Sequence, residues 1–123
     1  MRHKTTVLVV EDDTLIRLNA ADMIRELDFA VIEAASADQA IEFLETIDSI
    51  SVVFTDIQMA GSMDGLGLIA VIADRWPPVA LLVTSGQVAP SAENMPNGAR
   101  FLSKPYAQRQ LKGHIEALIA RAA

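Results

Sequence analysis

Five short apolar runs, each followed by a longer segment, limit the fold of this chain more than any other feature. The runs are 6–10 (TVLVV), 29–33 (FAVIE), 50–54 (ISVVF), 79–83 (VALLV) and 99–102 (ARFL). The first, after Thr6, and the fourth are apolar without alternation, as strands covered on both faces tend to be. From about Thr14, Ile16, Ala20, Met23, Ile24 and Leu27 fall at helical spacing, with Asp13 as the expected N-cap. Ser36 suits the N-cap of a second helix that carries Ala40, Ile41, Leu44 and Ile47, with Gln39 at the capping-box position. A third helix, from about Asp64, is expected to bury Leu66, Ile69, Ile72, Ala73 and Trp76 and to stop at Pro77-Pro78. The last spans about 106–120, with Leu111, Ile115, Leu118 and Ile119 on one face. Between the fourth and fifth runs, Pro90 and Pro96 leave room for only about one or two helical turns.

Alternation of this kind builds a parallel sheet with helices on both faces, joined by right-handed crossovers. The expected class is α/β: a flavodoxin-like, doubly wound, five-stranded sheet with a short or irregular fourth helix. The strand order 2-1-3-4-5 is adopted from that class, because five units without a second half favour it. Ligands of such sheets bind outside the carboxyl ends of the strands, at the switch point between strands 1 and 3. No repeat or linker divides the chain, and 123 residues suit one domain over 1–123.

Composition closes off several functions. Net charge is −6 and the ten Lys and Arg residues are scattered, which argues against a nucleic-acid surface. There is no cysteine, hence no disulfide framework, thiolate metal site or Cys nucleophile. No apolar run approaches the ~20 residues of a membrane span. The basic start, Met1-Arg2-His3-Lys4, turns acidic at Glu11-Asp12-Asp13, too soon for a signal peptide. A cytoplasmic location is expected. An initiating Met and a natural-looking terminal helix suggest a whole gene product.

In the expected fold every strand's carboxyl end points to one edge. Strand 1 delivers Glu11 and Asp12, strand 3 Asp56, strand 4 Thr84 and strand 5 Lys104. Three clustered carboxylates repel one another unless a cation joins them, and Lys104 alone cannot balance three charges. Mg²⁺ suits such oxygen ligands, taking one or two carboxylates, waters and a phosphate. A carboxylate can also attack phosphorus and form an aspartyl phosphate. Each group alone has an ordinary structural explanation: acids after a strand cap helices, a strand-end Thr is usually structural, and Lys-Pro usually marks a turn. Their coincidence at four strand ends is what points to phosphoryl transfer. GSMDGLG does not match a dinucleotide fingerprint, Gly61 and Gly65 read as loop glycines, and neither His3 nor His114 reads as a ligand.

The motifs VLVVEDD, FTDIQMAGSMDG, LLVTSG and FLSKPY together closely resemble those of response-regulator receiver domains, over the whole length. The resemblance implies Asp56 as phosphoacceptor, and Asp12 as a direct Mg²⁺ (or Mn²⁺) ligand with Glu11 acting mainly through water. Gln58 would lend its backbone carbonyl to the metal. Thr84 would be the switch hydroxyl, Lys104 the partner of a phosphoryl oxygen, and Phe101 the rotating aromatic. The Lys104-Pro105 bond is expected to be cis. The chain departs from the family near the acceptor. Met59-Ala60 replaces a frequent Met-Pro, and the loop gains a residue through Gly61-Ser62.

The expected function is therefore that of a phosphorelay receiver. Its donor would be a histidine kinase or histidine phosphotransfer protein, and its output protein contact or onward transfer. It would not be an enzyme beyond its own phosphorylation and dephosphorylation. A receiver-like interaction module that signals without phosphate is the alternative, motivated by the broken fourth-helix region. An aspartyl-phosphate hydrolase fits less well, because such enzymes usually carry Asp-x-Asp at the end of the first strand.

Overall fold

Each of the five runs forms a strand in the computed structural model, which describes residues 4–87 and 89–122. The strands are β1 (Thr6–Val10), β2 (Ala30–Ala34), β3 (Ile50–Asp56), β4 (Ala80–Ser85) and β5 (Arg100–Ser103). All pair in parallel, in the expected order β2-β1-β3-β4-β5. Four helices connect or follow them: α1 (Thr14–Glu26), α2 (Ala37–Thr46), α3 (Gly65–Arg75) and α4 (Gln108–Ala122). Among the described residues between β4 and β5, the helical element is a 3₁₀ turn, Ala92–Asn94, and the fourth connection is as irregular as its prolines require. His3 lies outside the described residues.

The sheet separates two cores. Leu8, Val10, Val53 and Val83 pack with Ala40, Leu44, Leu68, Ile69 and Ile72 from α2 and α3. Val7, Val9, Val52, Phe54 and Leu82 pack on the other face with Ala20 and Ile24 of α1 and Leu111, Ile115 and Leu118 of α4. Successive strand residues thus feed opposite cores, which is why β1 has no polar alternation.

Local chemistry sets the helix starts. Asp13 Oδ1 accepts from Ile16 N at 3.0 Å, and Asp64 Oδ1 from Gly67 N at 2.9 Å. Ser36 Oγ accepts from Gln39 N at 3.1 Å, while the Gln39 side chain accepts from Ala35 N, one residue before the usual capping-box partner.

Several boundaries differ from expectation. Asp28 has φ 71, and Phe29 N still bonds Ile24 O, so Phe29 belongs to the end of α1 and β2 starts at Ala30. The last helix starts at Gln108 instead of Tyr106. Tyr106 is turned edge-on to Phe54, and the Ala107 amide is taken by the Gln110 side chain. Ile16 is 44% exposed rather than core, beside Leu15 at 78% and Leu18 at 43%. The first turn of α1 lies past the end of β1, where the sheet no longer covers it. Leu68, absent from the expected helix stripe, is fully buried.

Candidate functional site

Parallel register brings the predicted groups to one edge. Val10 stands beside Thr55, Asp56 beside Thr84, and Thr84 beside Leu102, which sets Lys104 two residues further along the chain, just past β5. The Lys104 amide continues the ladder by bonding Ser85 O at 2.9 Å. Lys104 Nζ then makes a tight ion pair with Asp56 Oδ2 and a looser one, 3.5 Å, with Glu11 Oε1. The other Asp56 oxygen accepts from Gln58 N at 3.0 Å. The Lys104-Pro105 peptide is cis, as expected.

Burial and charge set the acidities. Glu11 is pushed up to about 7, first by burial and then by Asp56, although the Asp13 amide (3.0 Å) pulls the other way. Asp12 is exposed and held below the usual carboxylate value, first by the Ala60 amide (2.9 Å) and then by Glu11. Burial alone would lower the Lys104 ammonium, but Asp56 and Glu11 outweigh it and raise it. Tyr106 is pushed up to about 12 by burial, then by Glu11 and Asp56, and stays a neutral phenol.

Thr84 is buried, and its hydroxyl donates to Leu102 O at 2.6 Å. Phe101, the next residue back on β5, is half-buried against the α2–α3 core. The geometry thus unites Glu11, Asp56, Thr84 and Lys104, keeps Asp12 and Gln58 at the rim, and sets Phe101 behind the ladder.

Two contributors were not foreseen. Ser85 donates its hydroxyl to Gln58 Oε1 at 2.7 Å and accepts from Gln87 N at 3.0 Å, tying the Gln58 side chain across to β4. Gly65, read as a loop glycine, is the first residue of α3, and its amide bonds Ile57 O at 2.9 Å. A Cβ there would stand 2.0 Å from Asp56 O, so only glycine lets α3 start against the Asp56 backbone. Away from these groups, His114 accepts from Nε of Arg100, the first residue of β5, at 2.8 Å. Only Ser85 carried a sequence signal, as a hydroxyl adjoining Thr84.

Among the described residues, no three His, Cys, Asp or Glu side chains converge as a ready metal cage. Mg²⁺ does not require one, since one or two carboxylates and waters suffice. The donor set fits it: Asp12 and Asp56 supply hard oxygen, Gln58 a carbonyl, and the three acids with one lysine leave net negative charge.

Similarities to known proteins agree with this geometry. The family model described as response regulator receiver domain matches residues 7–116. The sensor kinase CckA of Brucella abortus is 29% identical over 120 residues, covering 94% of this chain and 13% of that protein. A putative NtrX-like response regulator of Rickettsia bellii is 34% identical over 104 residues, covering 81% of this chain and 22% of that protein. The chain therefore spans less than a quarter of each of these two relatives. The crystal structure of a response regulator receiver protein from Sinorhizobium medicae superposes with TM-score 0.91 at 26% identity, covering 98% of both chains. A fold with this strand order, and a family match running from β1 into α4, have one consequence: the chain belongs to the response regulator receiver domain family.

Proposed function

We propose that residues 1–123 act as one receiver domain that takes a phosphoryl group on Asp56 in a two-component phosphorelay. The observation that carries this reading is the Lys104 ammonium held against both Asp56 and Glu11 at the switch point of the sheet. An Asp56 carboxylate oxygen attacks the phosphorus of a phosphohistidine. The new O–P bond forms as the P–N bond breaks, and its electron pair stays on the imidazole nitrogen. Lys104 is within reach of a phosphoryl oxygen on Asp56, where its charge offsets the negative charge delivered. Asp12, Asp56 and the Gln58 carbonyl would hold Mg²⁺ or Mn²⁺, with Glu11 through water. A bound ion would add neutralisation of the phosphoryl oxygens.

Thr84 and Phe101 supply the readout. The Thr84 hydroxyl is committed to Leu102 O, so turning toward a phosphoryl oxygen releases a carbonyl of β5 directly after Phe101. Phe101 then repacks, and a partner reads the altered face. Exposed Leu15 and Ile16 line a groove with Met23, Pro105 and Tyr106 beside Lys104, an apolar surface suited to a histidine kinase or histidine phosphotransfer protein. Output passes by protein contact or onward transfer, with catalysis limited to the chain's own phosphorylation and its reversal. No described helix is long and apolar enough to cross a membrane. A cytoplasmic location goes with this reading, because phosphoryl groups derived from ATP arise there.

The test is exposure to a small-molecule phosphodonor with Mg²⁺, followed by intact-mass measurement. One phosphoryl group should add to the wild type and none to Asp56→Asn. An unlabelled wild type, or equal labelling of the variant, would refute the reading. The short 3₁₀ turn between β4 and β5 favours one rival, a module that keeps the fold but signals without phosphate. Failure of Mg²⁺ to shift any amide near Asp56 would support that rival.

A further inference from the structure

We propose that Ser62 is a positioning residue: its bonds to Asp38 hold the loop between β3 and α3 so that the Ala60 amide fixes Asp12 for a divalent cation. The inference rests on the reading of Asp12 as a metal ligand.

The loop is pinned on two sides. Ser62 Oγ donates to the Asp38 carboxylate, 3.0 and 3.2 Å from its two oxygens, in the first turn of α2. Two residues earlier, Ala60 N donates to Asp12 Oδ2 at 2.9 Å. Between them stands Gly61 at φ 112, with open space around it, so this glycine answers a need for backbone conformation and not for room. The backbone freedom of glycine would let Ala60 swing away from Asp12 if nothing held the far side. Ser62 supplies that hold. Met59 and Met63 pack against the α2–α3 core and fix the outer ends of the segment.

The consequence falls on Asp12. It is exposed and follows β1 outside any strand or helix, so its carboxylate would otherwise sample several rotamers. With one oxygen committed to a fixed amide, the group is held in one orientation and its other oxygen is left for a cation. Ligating carboxylates commonly carry such an outer partner, and losing it weakens metal binding. Chain identity matters here. Proline, frequent after Met in the family, has no N–H and could not make the Ala60 contact. The extra loop residue and the replacement of that proline therefore act together: one supplies the donor, the other the anchor that aims it.

Titrating Mg²⁺ while following amide shifts near Asp56 tests the proposal. Ser62→Ala should bind Mg²⁺ roughly tenfold more weakly, the low end for outer partners of metal ligands. Its Ala60 amide resonance should move toward a solvent-exposed value, and Ser62→Thr should recover both. Thermal stability should stay near the wild type, because Ser62 and Asp38 are both exposed. Asp56 labelling by a small phosphodonor should slow at low Mg²⁺ and recover at saturation, a split that a general structural defect would not produce. Ala60→Pro should match Ser62→Ala in Mg²⁺ affinity. Equal Mg²⁺ affinity in wild type and Ser62→Ala would overturn the clamp alone. A wild type that binds no Mg²⁺ would overturn the reading of the site and the clamp with it.

Discussion

Gly65→Ala should damage the site from beneath. A Cβ at this position would meet Asp56 O at 2.0 Å, Asp56 C at 2.8 Å and Ile57 Cα at 2.8 Å. All three are backbone atoms, so no side chain can rotate away. Ordinary contact begins at 3.4 Å, and either the start of α3 or the end of β3 must retreat by roughly 1.4 Å. Overpacking of this kind costs about 1–3 kcal/mol. The same retreat breaks the 2.9 Å bond from Gly65 N to Ile57 O, worth about 1 kcal/mol. Better helix propensity returns at most about 1 kcal/mol. The expected net loss is about 1–3 kcal/mol, or roughly 4–12 °C in Tm for a chain of this size. Urea unfolding followed by circular dichroism, with a thermal scan, reads both. Gly113→Ala is the control, since its Cβ would meet nothing within 4 Å and it lies inside α4. That variant should be stabilised by about 0.5–1 kcal/mol. Folded Gly65→Ala should also be labelled more slowly by a phosphodonor, because the displaced backbone carries Asp56. If Gly65→Ala unfolds at the wild-type midpoint while Gly113→Ala rises, the close approach is not a constraint and the argument fails.

Lys104→Met leaves the buried carboxylates of Glu11 and Asp56 facing each other without their shared cation. Because the lysine side chain is 25% exposed, the loss should fall below the full cost of breaking a buried pair, at about 2–3 kcal/mol in chelator-treated samples. Mg²⁺ should stabilise this variant more than the wild type, and equal urea midpoints for the two proteins in chelator would refute the pairing. His114 is held below its ordinary value of 6.5, first by burial and then by the Arg100 charge. Protonation therefore favours the unfolded chain: this contribution is intact above pH 6.5 and is lost as pH falls through the folded value. His114→Gln keeps an acceptor for Arg100 and should flatten the decline of the urea midpoint between about pH 7 and 5, whereas an unchanged slope would assign that decline to other groups.

The fold was legible because its signals repeat. Five apolar runs, side-chain caps read at Asp13 and Ser36, and proline stops each restate the same alternation, so one weak strand such as β2 could not mislead. The convergence of Glu11, Asp56, Thr84 and Lys104 was legible for a related reason. Once the order of parallel strands is known, strand ends share an edge whatever the loops do. Exposure was harder to read. Helical spacing put Ile16 in the core stripe, but spacing assigns a residue to a face and does not say whether the sheet still lies beneath that turn.

What stayed hidden has a common physical cause: the groups at work are backbone atoms. The Ala60 N–H on Asp12, the Gln58 N–H on Asp56 and the Gly65 amide on Ile57 O have no letter of their own in a sequence. Any residue but proline can donate such a bond, so residue identity reveals it only by exclusion. Gly65 is the limiting case, since its function is the absence of an atom that would strike Asp56 O. The side chains that could have exposed the loop, Ser62 and Asp38, lie 24 positions apart and meet only because α2 and the β3–α3 loop flank the same strand end. The site therefore has two layers. The side chains that handle charge can be read from strand ends, whereas the amides that orient them can be read only once the chain is folded. On the proposed clamp, the departure at Ala60 to Ser62 acts on the second layer, through the Ala60 amide on Asp12 and Ser62 on Asp38, and leaves the strand-end side chains where they are.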